Sequence, residues 1–199
     1  DTWKSRGLGD VYKRQDPHQA DLVGISLSTK IGYACYIPIG HNSDKNLDEN
    51  KVIKILKPIL EDKSIKKIGQ NIKFDFIILF KRGIEMNTIE DTMLMSYVLD
   101  AGKNRHNMDT LSEIHLSHKP ISYKEIVGTG KKQINFSEVD IKLAKDYAAE
   151  DADITYRLYK IFQKNLKLEK LTNIYEIFEK PLIKICLLYT SPSPRDFQV

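Results

Sequence analysis

Lys66-Lys67-Ile68-Gly69-Gln70-Asn71-Ile72-Lys73-Phe74-Asp75 reads as a short strand, a polar turn and a helix that begins near Lys73, which puts Asp75 in that helix's first turn. Upstream, residues 22–28 and 33–39 read as strands joined by a turn around Lys30-Ile31-Gly32, most simply a hairpin. A polar loop at 44–48 follows. Val52, Ile53, Leu56, Ile59 and Leu60 then recur at helical spacing over 49–60. Downstream, helices are expected at 74–81, 92–99, 108–116, 137–166 and 173–187. Strands alternating with helices predict an α/β layered domain with a mixed sheet flanked by helices.

The long run at 137–166 contains Tyr147-Ala148-Ala149-Glu150-Asp151-Ala152-Asp153. Tyr147 and Asp151 are four residues apart and share one helix face. A phenol one turn from a carboxylate suits a metal-dependent hydrolase, in which the carboxylate holds a cation and the hydroxyl orients the attacking water. The other reading is a solvated acidic face. Asp153 falls off the shared face and Glu150 at its edge, so both read as solvated and outside the site.

Together, Asn71-x-x-x-Asp75 and Tyr147-x-x-x-Asp151 resemble the second and third motifs of the DEDD-type 3'-5' exonucleases, in the subclass with tyrosine in the third. The similarity is greatest to the proofreading domain of bacterial DNA polymerase I. Further stretches fall in that family's order: Asp21-Leu22-Val23-Gly24-Ile25-Ser26, Tyr36-Ile37-Pro38-Ile39, Asp91-Thr92-Met93-Leu94, Arg105-His106-Asn107-Met108-Asp109-Thr110-Leu111 and Gly128-Thr129-Gly130-Lys131-Lys132-Gln133. The likeness runs from about Asp16 to about Leu187. It implies a ribonuclease H-like fold and removal of 3'-terminal nucleotides from single-stranded DNA, the proofreading step of replication and repair. Asp75 and Asp151 are then ligands to two divalent metal ions, Mg or Mn, and Tyr147 orients the water. The resemblance also implies a monomer of the bacterial cytoplasm, joined to a polymerase domain.

For substrate contacts, the resemblance points to Gln70 and Asn71, whose side-chain amides can reach the terminal nucleotide, although Gly-Gln-Asn is also an ordinary way to leave a strand and cap a helix. Arg105 is placed for a phosphate and Tyr123 for stacking on a base, against surface solvation and core packing respectively. Lys131, with Lys132, follows two glycines in a loop that can grip a backbone or simply stay solvated. His115 and His118 have metal-like spacing but no third partner nearby, and read as surface histidines.

The family's first motif, Asp-x-Glu on the first strand, is missing. The family spacing puts its two carboxylate positions on Gly9 and Val11, with Asp10 between them and expected on the opposite strand face. Residues 1–15 show neither strand alternation nor a helical period, and 188–199 follow an apolar run abruptly, so both ends read as translated adapter sequence outside the fold. The expected organisation is a non-native segment at 1–15, an exonuclease-like domain at 16–170, a helical passage towards a polymerase domain at 171–187, and a non-native tail at 188–199. With half the acidic set absent, the chain is expected to be inactive. The rival readings are a non-catalytic nucleic-acid-binding or scaffolding module and an RNA-trimming relative of the ribonuclease D kind.

Composition adds little. Residues 1–15 carry Lys4, Arg6, Lys13 and Arg14 against Asp1 and Asp10, so half of the formal +4 charge lies there and the rest is too mild to imply nucleic acid. Cys35 and Cys186 are the only cysteines, which fits a reducing compartment and no disulfide framework. No stretch approaches a membrane span.

Overall fold

The structure is a computed structural model that describes residues 5–12, 22–130 and 133–190 of the 199-residue chain. The strands are β1 (Ser5–Tyr12), β2 (Leu22–Lys30), β3 (Tyr33–Pro38), β4 (Lys66–Gly69) and β5 (Ile89–Asp91). The helices are α1 (Glu49–Glu61), α2 (Lys73–Phe80), α3 (Thr92–Asp100), α4 (Met108–Leu116), α5 (Tyr123–Val127), α6 (Ile141–Leu168), α7 (Thr172–Ile174) and α8 (Lys180–Thr190). The strands form one sheet in the order β3-β2-β1-β4-β5. β1 pairs antiparallel with β2 and parallel with β4, β2 antiparallel with β3, and β4 parallel with β5. The mixed sheet flanked by helices is the expected α/β architecture.

One expectation is corrected. Residues 1–15 were placed outside the fold, yet Ser5–Tyr12 is the middle strand of the sheet. A strand with partners on both sides is held through its backbone N–H and C=O groups and needs no alternating side-chain pattern. Gly7 and Gly9 lower its intrinsic strand preference, which hides it from a pattern search. The same reason accounts for β5, whose three residues are too few to show a period.

Helices cover both faces. On one, Val52, Leu56 and Leu60 of α1 and Ile78 and Leu79 of α2 pack with Leu22, Ile25 and Leu27 of β2. On the other, Ile154, Leu158, Tyr159, Phe162 and Leu166 of α6 pack with Ile68, Met95 and Leu111. Towards its N-terminus α6 offers only Ala144, Ala148 and Ala152 as its buried stripe, each at most 1% exposed. Small residues at that spacing let the helix axis lie close against the sheet, and Tyr147 and Asp151 each sit one position before a buried alanine.

Helix boundaries differ from expectation where a cap intervenes. α6 starts at Ile141 because the Asp140 carboxylate accepts from Lys142 N at 2.9 Å. Phe136–Glu138 ahead of it is a separate 3-10 turn closed by a capping box between Asn135 and Glu138. The helix expected at 173–187 is interrupted by a π-helical turn at Tyr175–Glu179. Pro181 follows and has no N–H to return to the carbonyl four residues back, which favours such a widening. Among the described residues no helix is long and apolar enough to cross a membrane.

Candidate active site

β4 ends at Gly69 and hands the chain to a turn at residues 70–72 in which Asn71 adopts a left-handed φ of 60°. That conformation is uncommon outside glycine and asparagine, and here a buried carboxylate holds it. Asp91, 2% exposed, accepts from Asn71 N at 2.9 Å and from Ile72 N at 3.0 Å. It also caps α3 by accepting from Met93 N at 2.9 Å. Burial pushes the Asp91 carboxyl above the usual carboxylate range, while these amides pull the other way.

With the turn fixed, Asp75 falls in the first turn of α2, 6% exposed. Its Oδ2 approaches the end of β4 so closely that a Cβ on Gly69 would lie 3.2 Å from it and 2.8 Å from Ile72 Cβ. Gly69 is therefore the residue that allows α2 to start where it does. Asn71 Oδ1 is buried with no hydrogen-bond partner, so its amide keeps an unused acceptor. Gln70 has no such freedom: its Nε2 donates to His106 O at 2.8 Å and its Oε1 accepts from Thr92 Oγ1. It braces the loop between α3 and α4, where Arg105 is exposed.

On α6, the Tyr147 hydroxyl donates to the Asp151 carboxylate, both residues being half-buried. Tyr147 completes an aromatic group: its ring centroid is 6.1 Å from that of Tyr123 and 6.0 Å from that of Phe136, and Tyr123 stacks on Phe136 at 6.2 Å. Tyr123 thus joins core packing with partial exposure. Burial and then the Asp151 charge hold the Tyr147 phenol above its ordinary value. Asp151 is pushed up to about 8, first by burial and then by the charges of Glu150 and Asp109, against the lowering effect of the Tyr147 hydrogen bond.

Asp109, in the first turn of α4, is a carboxylate that the motif spacing did not assign. Burial and Glu113 raise its own carboxyl. It stands in the Arg105–Leu111 stretch quoted above, and only the fold brings it within electrostatic reach of Asp151.

The Asp151 shift has a sign that can be tested. An acid raised from 3.8 to about 8 on folding stabilises the fold fully below pH 3.8, and that contribution is lost as pH rises through about 8. Asp151→Asn cannot ionise. At pH 8.5 the variant is expected to be more stable than the parent by roughly 1–3 kcal/mol, with the difference closing near pH 4. Urea denaturation at the two pH values checks this, and an offset that does not change with pH would contradict it.

Two acidic neighbours correct the sequence reading. Glu150 is not simply solvated: its Oε1 lies 2.8 Å from His118 Nε2 and its Oε2 accepts from Ile121 N at 2.7 Å, pinning the loop that leads to Tyr123. Asp153 accepts from Gly32 N at 2.7 Å and from Arg157 Nε at 2.7 Å, tying α6 to the β2–β3 turn. His118 is exposed as expected, and His115 sits edge-on to Phe162 at 4.9 Å. Cys35 is free and exposed. Lys131 and Lys132 lie outside the described residues.

The two positions of the missing motif are both in β1, Gly9 opposite Ser26 and Val11 opposite Gly24 of β2. A glycine and a valine supply no oxygen ligand. Among the described residues no group of three or more His, Cys, Asp or Glu side chains could hold a metal ion. Asp75 and Asp151 are the carboxylates of the second and third motifs that the chain retains.

A model of the 3'-5' exonuclease family matches residues 12–167, beginning just after the two vacant positions. DNA polymerase I of Rhizobium leguminosarum is 42% identical over 191 residues, covering 85% of this chain and 19% of that protein. The chain thus spans about one fifth of the length of such relatives. Among solved structures, Brucella melitensis NrnC superposes with a TM-score of 0.70 at 20% identity, over 91% of this chain and 82% of NrnC. Escherichia coli RNase D gives 0.70 at 14% identity, over 92% of this chain and 44% of that one. The fold is ribonuclease H-like, as in these structures.

Proposed function

Because the chain belongs to the 3'-5' exonuclease family, we propose that it is a fragment of a bacterial DNA polymerase I whose domain removes 3'-terminal nucleotides from single-stranded DNA. The observation that carries this reading is the hydrogen-bonded Tyr147–Asp151 pair, set within the electrostatic reach of the carboxylates Glu150 and Asp109. In an intact domain Asp75 and Asp151 would hold two divalent cations, magnesium or manganese, together with the carboxylate pair missing from positions 9 and 11. When bound, the cations supply charge stabilisation and an activated water.

The protein groups have separable tasks. Asp151, held towards its protonated form by burial, would be the ligand of α6, and binding a divalent cation there would favour its ionised form. Tyr147 keeps its proton, since its phenol is raised, so it orients the water by hydrogen bonding and does not act as a base. Asn71, Arg105, Tyr123 and Lys131 contact the DNA end through amide, phosphate, stacking and backbone interactions, and Gln70 holds the Arg105 loop in place. The setting is the bacterial cytoplasm, as a monomer next to a polymerase domain.

Lacking two carboxylates, this chain is expected to show no 3' trimming. A 5'-labelled single-stranded oligonucleotide incubated with the chain and magnesium checks it. Trimming that is abolished by Asp151→Asn would overturn the expectation. One observation favours a second reading, a non-catalytic nucleic-acid-binding module: β1 completes the sheet without either carboxylate. Salt-dependent binding of single-stranded DNA, kept in Asp75→Asn and Asp151→Asn, would mark that role.

A further inference from the structure

Tyr175 is 1% exposed and lies in the π-helical turn just before α8. Its hydroxyl donates to Glu90 Oε2 at 2.9 Å and accepts from the backbone N of Asp91 at 3.0 Å. Glu90, 2% exposed, takes Lys180 Nζ on its other oxygen at 2.9 Å, with Lys66 Nζ 3.6 Å away. Lys180 is steadied in turn by Glu176 Oε2 at 2.9 Å. Asp91, the next residue, is the carboxylate that holds Asn71 N and Ile72 N. A continuous hydrogen-bonded path therefore leads from the C-terminal segment, through β5, to the turn that carries Asn71 and delivers Asp75.

We propose that Tyr175 and Lys180 are positioning residues for the candidate active site, so that the segment leaving the domain at its C-terminal end sets the geometry of the Asn71–Asp75 turn. The significance of that turn for phosphodiester hydrolysis rests on the function proposed above; the coupling itself does not. Tyr175 suits the task because one rigid phenol serves two neighbours on β5, donating to a carboxylate and accepting from an amide. Burial, and then the charge of Glu90, keep its proton in place, so the donor is permanent. Lys180 brings the path to the surface at the start of the departing helix, being partly exposed where Tyr175 and Glu90 are not. Displacement of α8 by whatever follows it would draw on Lys180 first and be felt at Asp91 through Glu90 and Tyr175.

The test is amide spectroscopy on the full 15N-labelled chain. Tyr175→Phe keeps the ring and removes both hydrogen bonds. Hydrogen exchange at Asn71 and Ile72 is expected to quicken about fivefold with displaced amide resonances, while Leu56 in α1 is unchanged. Lys180→Met, at a partly exposed position, is expected to move the same amides in the same direction by less, and it decides the matter should the phenylalanine variant fail to fold. Unmoved Asn71 and Ile72 amides in a folded variant, or a uniform quickening that includes Leu56, would overturn the proposal. A manganese titration of the chain carrying Gly9→Asp and Val11→Glu separates the two ideas. If Asp75 and Asp151 resonances do not broaden there while the Asn71 amide still answers to Tyr175→Phe, the coupling stands and the nuclease reading falls.

Discussion

Replacing Gly9 with aspartate and Val11 with glutamate is expected to make this chain a magnesium-dependent 3'-5' exonuclease. β1 lies between β2 and β4, and β4 runs directly into the turn that delivers Asp75. α6, which carries Tyr147 and Asp151, packs across β1, β2 and β4. Positions two apart on a strand share one face, so both substitutions fall on the same face of β1. Recovering several kcal/mol of charge stabilisation corresponds to a gain of roughly a thousandfold or more over the parent. The measurement is stepwise shortening of a 5'-labelled single-stranded oligonucleotide at pH 7.5 with magnesium, abolished by chelator and by adding Asp151→Asn. A restored chain that keeps the parent's circular dichroism and urea midpoint but still fails to trim would sink the assignment of these two positions.

Asp91→Ala is expected to have the largest effect on stability, a loss of roughly 3–5 kcal/mol, because it leaves the Asn71, Ile72 and Met93 amides without their acceptor in a buried place. The left-handed Asn71 then has nothing to hold its φ of 60°, and the start of α2 is released with it. Asp91→Asn keeps one acceptor oxygen and is expected to lose less than half as much. Urea unfolding of the two variants checks the order. Equal losses in both would mean that the negative charge of Asp91, and not its geometry as an acceptor, is what matters.

These effects divide along the line between what spacing reveals and what only the fold assembles. The apolar period over 49–60 was legible, and Val52, Leu56 and Leu60 are buried as it requires. The four-residue spacing of Tyr147 and Asp151 was legible too, since a helix turns that spacing into a contact. Asp91 was not: it appeared only as part of a supporting stretch, because its partners Asn71 and Ile72 lie about twenty residues away across two parallel strands. Glu150 and Asp153 were misread for a related reason. A helical wheel states which way a side chain leaves its helix, but not that Ile121 N and Gly32 N come to meet it. β1 was hidden for the opposite reason, its hold on the sheet being made by backbone that every sequence possesses.

That last property has an evolutionary and an engineering side. In this sheet the middle strand is held between the backbone edges of β2 and β4. On the function proposed above, scaffold and catalytic charge divide between the main chain and the side-chain positions of the same eight residues. Rearming the strand at Ser5–Tyr12 then needs two side chains and no new backbone, which makes it the natural place to exchange one activity for another.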